Sequence, residues 1–435
     1  MKTKEVAHDL VRDDLAHSTP ASNLAFNEEV KALIKSGRKI AHFGFGLSPF
    51  PVPKCMVDCV KQFVPANDYL PVVGIPELRE EIVKFHERYD NITLNVNNFV
   101  MGPGSKQLIY LVMTTFKGDI LLPAPAWVTY APQIRLAGKE PKIIQTDSKS
   151  GWKLTPHSLE EAAVLCGPGW KLLIHTNPGN PSGTCYTHEE LRALSAVCRK
   201  RSIIVLSDEI YARLTFSRDH ASIVQHYPEG TILITGFSKW ASAGGWRLGY
   251  AHFPNRLQEM FNAVKSAASH THSCAPAPMQ YGVAKALKEN AQELDQYMNN
   301  CAKILQAVSN YCHRELNSVG VVGCESEAGY YYIPDFEVVR GGLLALKKKA
   351  DGEVMSRSML EEADVALMPA ASFLRPAEEL ISRFCFVCFE GAKALEALES
   401  LPSNVVLDDD FVRQYCLPVV MGVENLKKWI KKYTR

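Results

Sequence analysis

Apolar runs of strand length recur through the middle of the chain, and each ends in polar or turn-forming residues. Lys171-Leu172-Leu173-Ile174-His175-Thr176 reads as a buried strand running into Asn177-Pro178-Gly179-Asn180-Pro181-Ser182-Gly183-Thr184, whose composition demands a loop. Ser202-Ile203-Ile204-Val205-Leu206-Ser207 predicts a second strand, ending in Asp208-Glu209-Ile210-Tyr211. Thr231-Ile232-Leu233-Ile234-Thr235 predicts a third, ending just before Gly236-Phe237-Ser238-Lys239. Strand and helix patterns alternate from about Phe99 to Phe253, which argues a mainly parallel sheet with helices on both faces. Thr187-His188-Glu189-Glu190 opens one such helix with a capping box, and Leu191, Leu194, Ala196 and Val197 supply its apolar side. Beyond Cys274-Ala275-Pro276-Ala277-Pro278 a long helix is predicted over about Gln292 to Leu316, with Leu294, Met298, Ile304, Leu305 and Val308 on its apolar face. It leads to a smaller unit containing Gly329-Tyr330-Tyr331-Tyr332-Ile333, a helix near Gly352 to Glu362 and a strand around Arg383.

Three predicted strands thus deliver polar groups from their carboxyl ends, the edge at which open parallel sheets bind ligands. Lys239 offers an amine, and Arg247, in Gly244-Gly245-Trp246-Arg247-Leu248-Gly249-Tyr250, offers a guanidinium at a spacing suited to an aldehyde that carries a phosphate. Pyridoxal phosphate is such an aldehyde. A lysine attacks carbonyls when burial or a nearby cation lowers its pKa, and a guanidinium grips a phosphate in a forked geometry. Removing an α-proton from a joined amino acid requires a protonated pyridine ring as electron sink, and a carboxylate beside the ring nitrogen keeps it protonated. Asp208 takes that role. Tyr211 and Asn180, at neighbouring strand ends, face the ring's phenolic oxygen, and Lys239 shuttles the proton.

The motifs at 177–184, 207–211, 236–239 and 245–250 together resemble the class I/II aminotransferases of fold type I, in the family's order, over about Ser22 to Leu401. The resemblance is greatest to the aspartate, prephenate and aromatic aminotransferase subgroup. It implies an α/β fold: a large domain, residues 51–290, with a mainly parallel seven-stranded sheet, and a smaller α+β domain, residues 291–435 with an extended tail. Residues 1–50 form an arm and part of the small domain. The implied activity is ping-pong transfer of an amino group, through a Schiff base, between an L-amino acid and a 2-oxo acid such as 2-oxoglutarate. Carried onto this sequence, Gly104, Ser105 and Lys106 cradle the coenzyme phosphate at a helix amino terminus, helped by Ser238 and Arg247. Trp127 stacks on the pyridine ring, and Arg383 holds the substrate α-carboxylate in a bidentate grip. Gly46, Trp127 and Asn180 also line the substrate site, and Lys106 matches a lysine that reaches the distal carboxylate of acidic substrates. Tyr69, in Asp68-Tyr69 before Gly74-Ile75-Pro76-Glu77-Leu78-Arg79, reaches the phosphate of a partner subunit, so a homodimer with shared active sites is implied.

Taken singly, each residue has a duller reading. Trp127 reads as core, Asp208-Glu209 as a solvated strand end, Tyr69 as a surface tyrosine, residues 177–184 as a plain turn, and Lys106 as an exposed lysine in a first helical turn. Arg383 alone fits a ligand grip and a structural ion pair equally, although a charge on so apolar a strand demands some anion. Departures from the family pattern lie at the entrance. Gly46-Leu47-Ser48-Pro49-Phe50 has its proline displaced and lacks an acid, Ala243 replaces a common methionine, and Pro369-Ala370-Ala371-Ser372-Phe373 lacks the glycine after proline, removing an easy route to positive φ. These changes keep open a coenzyme-dependent lyase or replacement enzyme on the same fold. A coenzyme-sensing regulator is disfavoured by the intact catalytic set and the short stretch before Ser22.

Composition narrows the setting. The 435 residues, 46% hydrophobic, can bury a large core, and a formal charge of +1 invites neither nucleic acid nor an acidic membrane. Twelve cysteines show no zinc-type pairing; Cys385 and Cys388 are expected on opposite faces of one strand, as reduced thiols. No metal site is expected. The charged start Met1-Lys2-Thr3-Lys4-Glu5 lacks an apolar leader, so a cytoplasmic enzyme is expected. The tail from about Pro402 to Arg435, with Asp408-Asp409-Asp410 and Leu426-Lys427-Lys428-Trp429-Ile430-Lys431-Lys432, is expected to form a helix covering the small domain.

Overall fold

A computed structural model describes residues 10, 22–402 and 405–434; the charged start at residues 1–5 lies outside the described residues. In chain order the strands are β1 (Ala41–His42), β2 (Phe99–Gly102), β3 (Asp119–Ala124), β4 (Pro141–Gln145), β5 (Lys171–Thr176), β6 (Ile203–Asp208), β7 (Thr231–Gly236), β8 (Gly249–His252), β9 (Tyr331–Tyr332), β10 (Val365–Ala366), β11 (Met368–Pro369) and β12 (Ser382–Cys385).

Strands β2 to β8 form a seven-stranded sheet in the order β2-β8-β7-β6-β5-β3-β4. All neighbours run parallel except β8, which is antiparallel to both β2 and β7. The near-continuous apolar runs follow from burial on both faces. One face packs with Leu172, Ile174, Ile204, Leu206, Ile232 and Ile234, while Leu121, Leu173, Ile203 and Val205 pack with Leu191, Leu194 and Cys198 on the other. Residue 176 on β5 is level with Asp208 on β6, and Asp208 with Ile234 on β7. The three loops that follow therefore leave one edge side by side.

Local signals match their elements closely. Thr187 caps the His188–Lys200 helix by accepting from the Glu190 amide, and Glu190 accepts in return from Thr187. The apolar side of that helix differs by one position: Ala196 is exposed and Ser195 is buried, its hydroxyl satisfied by the Leu191 carbonyl at 2.7 Å. A small hydroxyl that bonds back to its own helix can take a core position at little cost. The Ala291–Asn317 helix buries Leu294, Met298, Ile304, Leu305 and Val308 as the periodicity requires.

Beyond it, β11, β12 and β9 form an antiparallel three-stranded sheet, and β1 pairs in parallel with β10. The early chain thus joins the later half, with Val30 of the Ser22–Lys35 helix packed on Leu360 and Ala366. Strand β12 ends at Cys385, so Cys388 lies past it and not on its opposite face; all twelve cysteines are free. Pro369 leads into a 3-10 turn, Ala370–Phe373, in which positive φ falls on Leu374 (67°), so glycine is not needed after the proline. The tail forms helices Asp409–Tyr415 and Leu417–Tyr433. The second packs on the β1–β10 pair and on the Gly352–Ala363 helix: Trp429 donates to Ser358 Oγ at 3.1 Å, and Leu426, Ile430 and Tyr433 are buried. No helix among the described residues is long and apolar enough to cross a membrane.

Candidate active site

The carboxyl ends of β5, β6 and β7 open onto a cavity of about 420 Å³, to whose lining β9 contributes Tyr331 and β12 contributes Arg383. Asp208, Tyr211, Asn180, Ser238, Lys239, Arg247, Ser105, Lys106, Trp127, Gly46 and Arg383 all line it. Of the expected site residues, Gly104 sits just behind this wall, and Tyr69 lies away from it, 90% exposed.

Lys239 Nζ donates to the Gly46 carbonyl at 2.9 Å. Burial, with the nearby Arg383 charge, pulls its ammonium down to about 8, so an appreciable neutral fraction exists near physiological pH. Asp208 is 4% exposed rather than a solvated strand end. It accepts from the Tyr130 hydroxyl at 2.8 Å and the Ile210 amide at 3.3 Å. Burial raises its carboxyl to about 6, outweighing the lowering by these hydrogen bonds and by the Lys239 charge. Glu209 points the other way and is satisfied by Ser207, Ser222 and His220 at 2.7–2.8 Å.

Arg383 is 2% exposed and has no carboxylate partner among the described residues. It donates to the Gly44 carbonyl at 2.8 Å and to Asn180 Oδ1 at 3.3 Å, and lies between the rings of Tyr331 and Phe373 at 4.8 and 4.9 Å. Its Nε has no hydrogen-bond partner among the described residues. No structural ion pair holds it among the described residues, so its charge suits a bound anion.

At the opposite end, Gly104 (φ 84°) precedes the Ser105–Thr115 helix, whose first residues, Ser105 and Lys106, line the cavity. A side chain at 104 would collide with the Arg247 guanidinium, which is held by the carbonyls of Gly244 and Pro103 at 2.8 and 2.7 Å. Lys106 is half-buried with Nζ 5.0 Å above the Trp127 ring, and burial, then Arg247, lowers its ammonium. Trp127 is itself half-buried at the cavity wall, not core.

Four basic side chains, Lys106, Lys239, Arg247 and Arg383, therefore surround one carboxylate, Asp208. That imbalance, with an orphaned guanidinium nitrogen at one end and a glycine-lined helix start at the other, fits a group bearing a phosphate together with a substrate bearing a carboxylate. Pyridoxal phosphate meets these requirements. Sequence reasoning missed Tyr130, which holds Asp208, and Tyr331, whose hydroxyl lies 2.8 Å from that of Tyr211.

The family described as "Aminotransferase class I and II" matches residues 39–401. The aspartate aminotransferase of Geobacillus stearothermophilus is 30% identical over 400 residues, covering 90% of this chain and 96% of that one. The aspartate/prephenate aminotransferase of Cereibacter sphaeroides is 31% identical over 373 residues, covering 83% of this chain and 91% of the relative. The solved aspartate aminotransferase of Thermus thermophilus with maleate shares the fold at a TM-score of 0.81 and 21% identity, covering 96% and 99% of the two chains. These relatives, named for transamination, lend no support to a lyase. The chain belongs to the class I and II aminotransferase family, whose members depend on pyridoxal phosphate.

Proposed function

We propose that this pyridoxal-phosphate-dependent aminotransferase uses a dicarboxylic amino acid, aspartate or glutamate, as one donor, with a 2-oxo acid such as 2-oxoglutarate as acceptor. Lys106 carries this reading: a half-buried ammonium at the cavity wall with no acidic partner among the described residues suits a second substrate carboxylate. Bound in the cavity, the coenzyme supplies an aldehyde for amine exchange and a ring that accepts the electron pair released at the α-carbon.

The chain's own residues do the rest. Arg383 grips the α-carboxylate with its fork, and the Gly44 carbonyl and flanking rings fix its plane. Lys239 Nζ, lowered to about 8, takes and returns the α-proton, with the Gly46 carbonyl directing it. Asp208 holds a proton on the ring nitrogen, its carboxylate oriented by Tyr130. Asn180 and Tyr211 address the phenolic oxygen, Trp127 supplies a flat wall, and Gly104, Ser105, Lys106, Ser238 and Arg247 hold the phosphate.

The 90% exposure of Tyr69 fits a residue that completes the site of a second copy, as a homodimer requires. A division into an arm with part of the small domain (1–50), a large coenzyme domain (51–290) and a small domain (291–435) accords with the sheets, and free cysteines accord with a cytoplasmic setting. Mixing holoenzyme with single amino acids and following the loss of the lysine-bound coenzyme's visible band ranks the donors. Fast conversion by aspartate or glutamate, lost in Lys106→Met, is expected; indifference to both acids overturns the assignment.

A further inference from the structure

Tyr331 stands where the two halves of the cavity meet. Strand β9, which carries it, pairs with β12, so that Tyr331 lies opposite Cys385, two positions along that strand from Arg383. Its ring centroid is 4.8 Å from the Arg383 guanidinium carbon. Its hydroxyl reaches across to the end of β6, 2.8 Å from the Tyr211 hydroxyl, and the two rings meet edge to face at 5.6 Å. A side chain at Gly46 would collide with that hydroxyl, and one at Gly183 with the Tyr331 carbonyl. Tyr331 thus touches the segments that carry Arg383, Tyr211, the Lys239-binding carbonyl of Gly46, and the loop with Asn180.

Both phenols are 2% exposed, and burial raises both, Tyr331 to about 12 and Tyr211 further. The pair is neutral, so one hydroxyl donates to the other. If Tyr331 donates, the hydrogen of Tyr211 is free for the cavity, and a phenol that accepts one hydrogen bond donates the next more strongly. A phenylalanine at 331 would retain the face against Arg383 and lose this polarisation. The titratable and charged groups around the pair are Lys239, Arg383, Tyr330, Cys385 and, beyond Lys239, Asp208.

We infer that Tyr331 is a positioning residue for this reaction: its hydroxyl directs the hydrogen of Tyr211 toward the coenzyme's phenolic oxygen, and its ring seats the Arg383 guanidinium. The inference rests on the proposed placing of Tyr211 and Arg383. The test is a pH titration of the visible absorbance of the lysine-bound coenzyme in the holoenzyme, in Tyr331→Phe and in Tyr331→Leu, alongside KM for the amino acid. A weaker donor at the phenolic oxygen favours protonation of the lysine linkage, so the midpoint should rise by roughly half a unit to one unit in both variants. KM should stay near the parent value in Tyr331→Phe and rise about 2- to 30-fold in Tyr331→Leu, where the ring is lost. Midpoints that match the parent in both folded variants overturn the hydroxyl's role, and an unchanged KM in Tyr331→Leu overturns the ring's. A parent protein with no visible coenzyme band would instead remove the functional reading beneath it.

Discussion

Replacing Arg383 by methionine should destroy activity while leaving the coenzyme-free protein about as stable as the parent. The guanidinium is 2% exposed and faces no acid among the described residues. An uncompensated buried charge costs several kcal/mol. Against that stand hydrogen bonds to the Gly44 carbonyl and Asn180, worth about 1.5–3 kcal/mol each, and two ring contacts, worth about 0.5–2 kcal/mol each. These terms nearly cancel, and methionine of similar reach refills the slot between Tyr331 and Phe373. Urea unfolding of the coenzyme-free variant should therefore give a free energy within about 2 kcal/mol of the parent, with the same slope. Catalysis has no such compensation. Losing two charge-assisted bonds to a substrate carboxylate should lower kcat/KM by about 100- to 10,000-fold. A destabilisation above about 4 kcal/mol, as for a broken buried ion pair, would refute the claim that this arginine waits for an anion; so would an unchanged KM for the amino acid.

Asp208→Asn keeps an acceptor for Tyr130 but removes the charge, and should lower kcat by about 10- to 1,000-fold, measured at saturating substrate. The same site predicts a pH effect on the coenzyme-free protein. Because burial raises the Asp208 carboxyl from 3.8 to about 6, its neutral form stabilises the fold below 3.8, and that contribution is lost as pH rises through about 6. Coenzyme-free Asp208→Asn should accordingly exceed the parent in stability at pH 8, by up to about 3 kcal/mol, and match it at pH 3.5, as read by urea unfolding. Lys106→Met should lower kcat/KM for aspartate about 10- to 100-fold more than for an amino acid with an uncharged side chain, the loss expected for one charge-assisted contact. If Tyr69 completes a neighbouring site, mixing inactive Tyr69→Ala with inactive Lys239→Ala should restore activity, and sedimentation should report a mass of two chains; separate single chains with no rescue would count against the dimer.

The sheet was legible because its strands are buried on both faces and so appear as unbroken apolar runs closed by turn formers, as in 171–184 and 202–211. Helix starts were legible where a cap is chemically distinctive, as at Thr187. Ser195 escaped because amphipathic reading scores a hydroxyl as polar, although a serine bonded to its own helix is effectively apolar outside. Lys239 and Asp208 could be picked out because they close apolar strands at the edge where open parallel sheets bind ligands, whereas Arg383, ambiguous on its own strand, was singled out by the family resemblance. Tyr331 and Tyr130 could not. Three tyrosines stand in a row at 330–332, and only the pairing of β9 with β12 decides which hydroxyl meets Tyr211. Tyr130 lies 78 residues from Asp208, a contact set by packing against the sheet edge rather than by any local pattern. The entrance changes at 46–50 and 369–373 proved compatible with the site: Gly46 still presents its carbonyl to Lys239, and the turn after Pro369 places Phe373 beneath Arg383.

We propose that the Lys239 amine, lowered by burial and opening onto the Asp208 cavity, carries the coenzyme. Reducing the holoenzyme with borohydride fixes the coenzyme to whichever lysine holds it, and peptide mass mapping then identifies that residue. A single modified peptide, labelled at Lys239 and absent from Lys239→Ala, is expected. Label on Lys106 or any other lysine, or none on a protein that retains full transaminase activity, would contradict it.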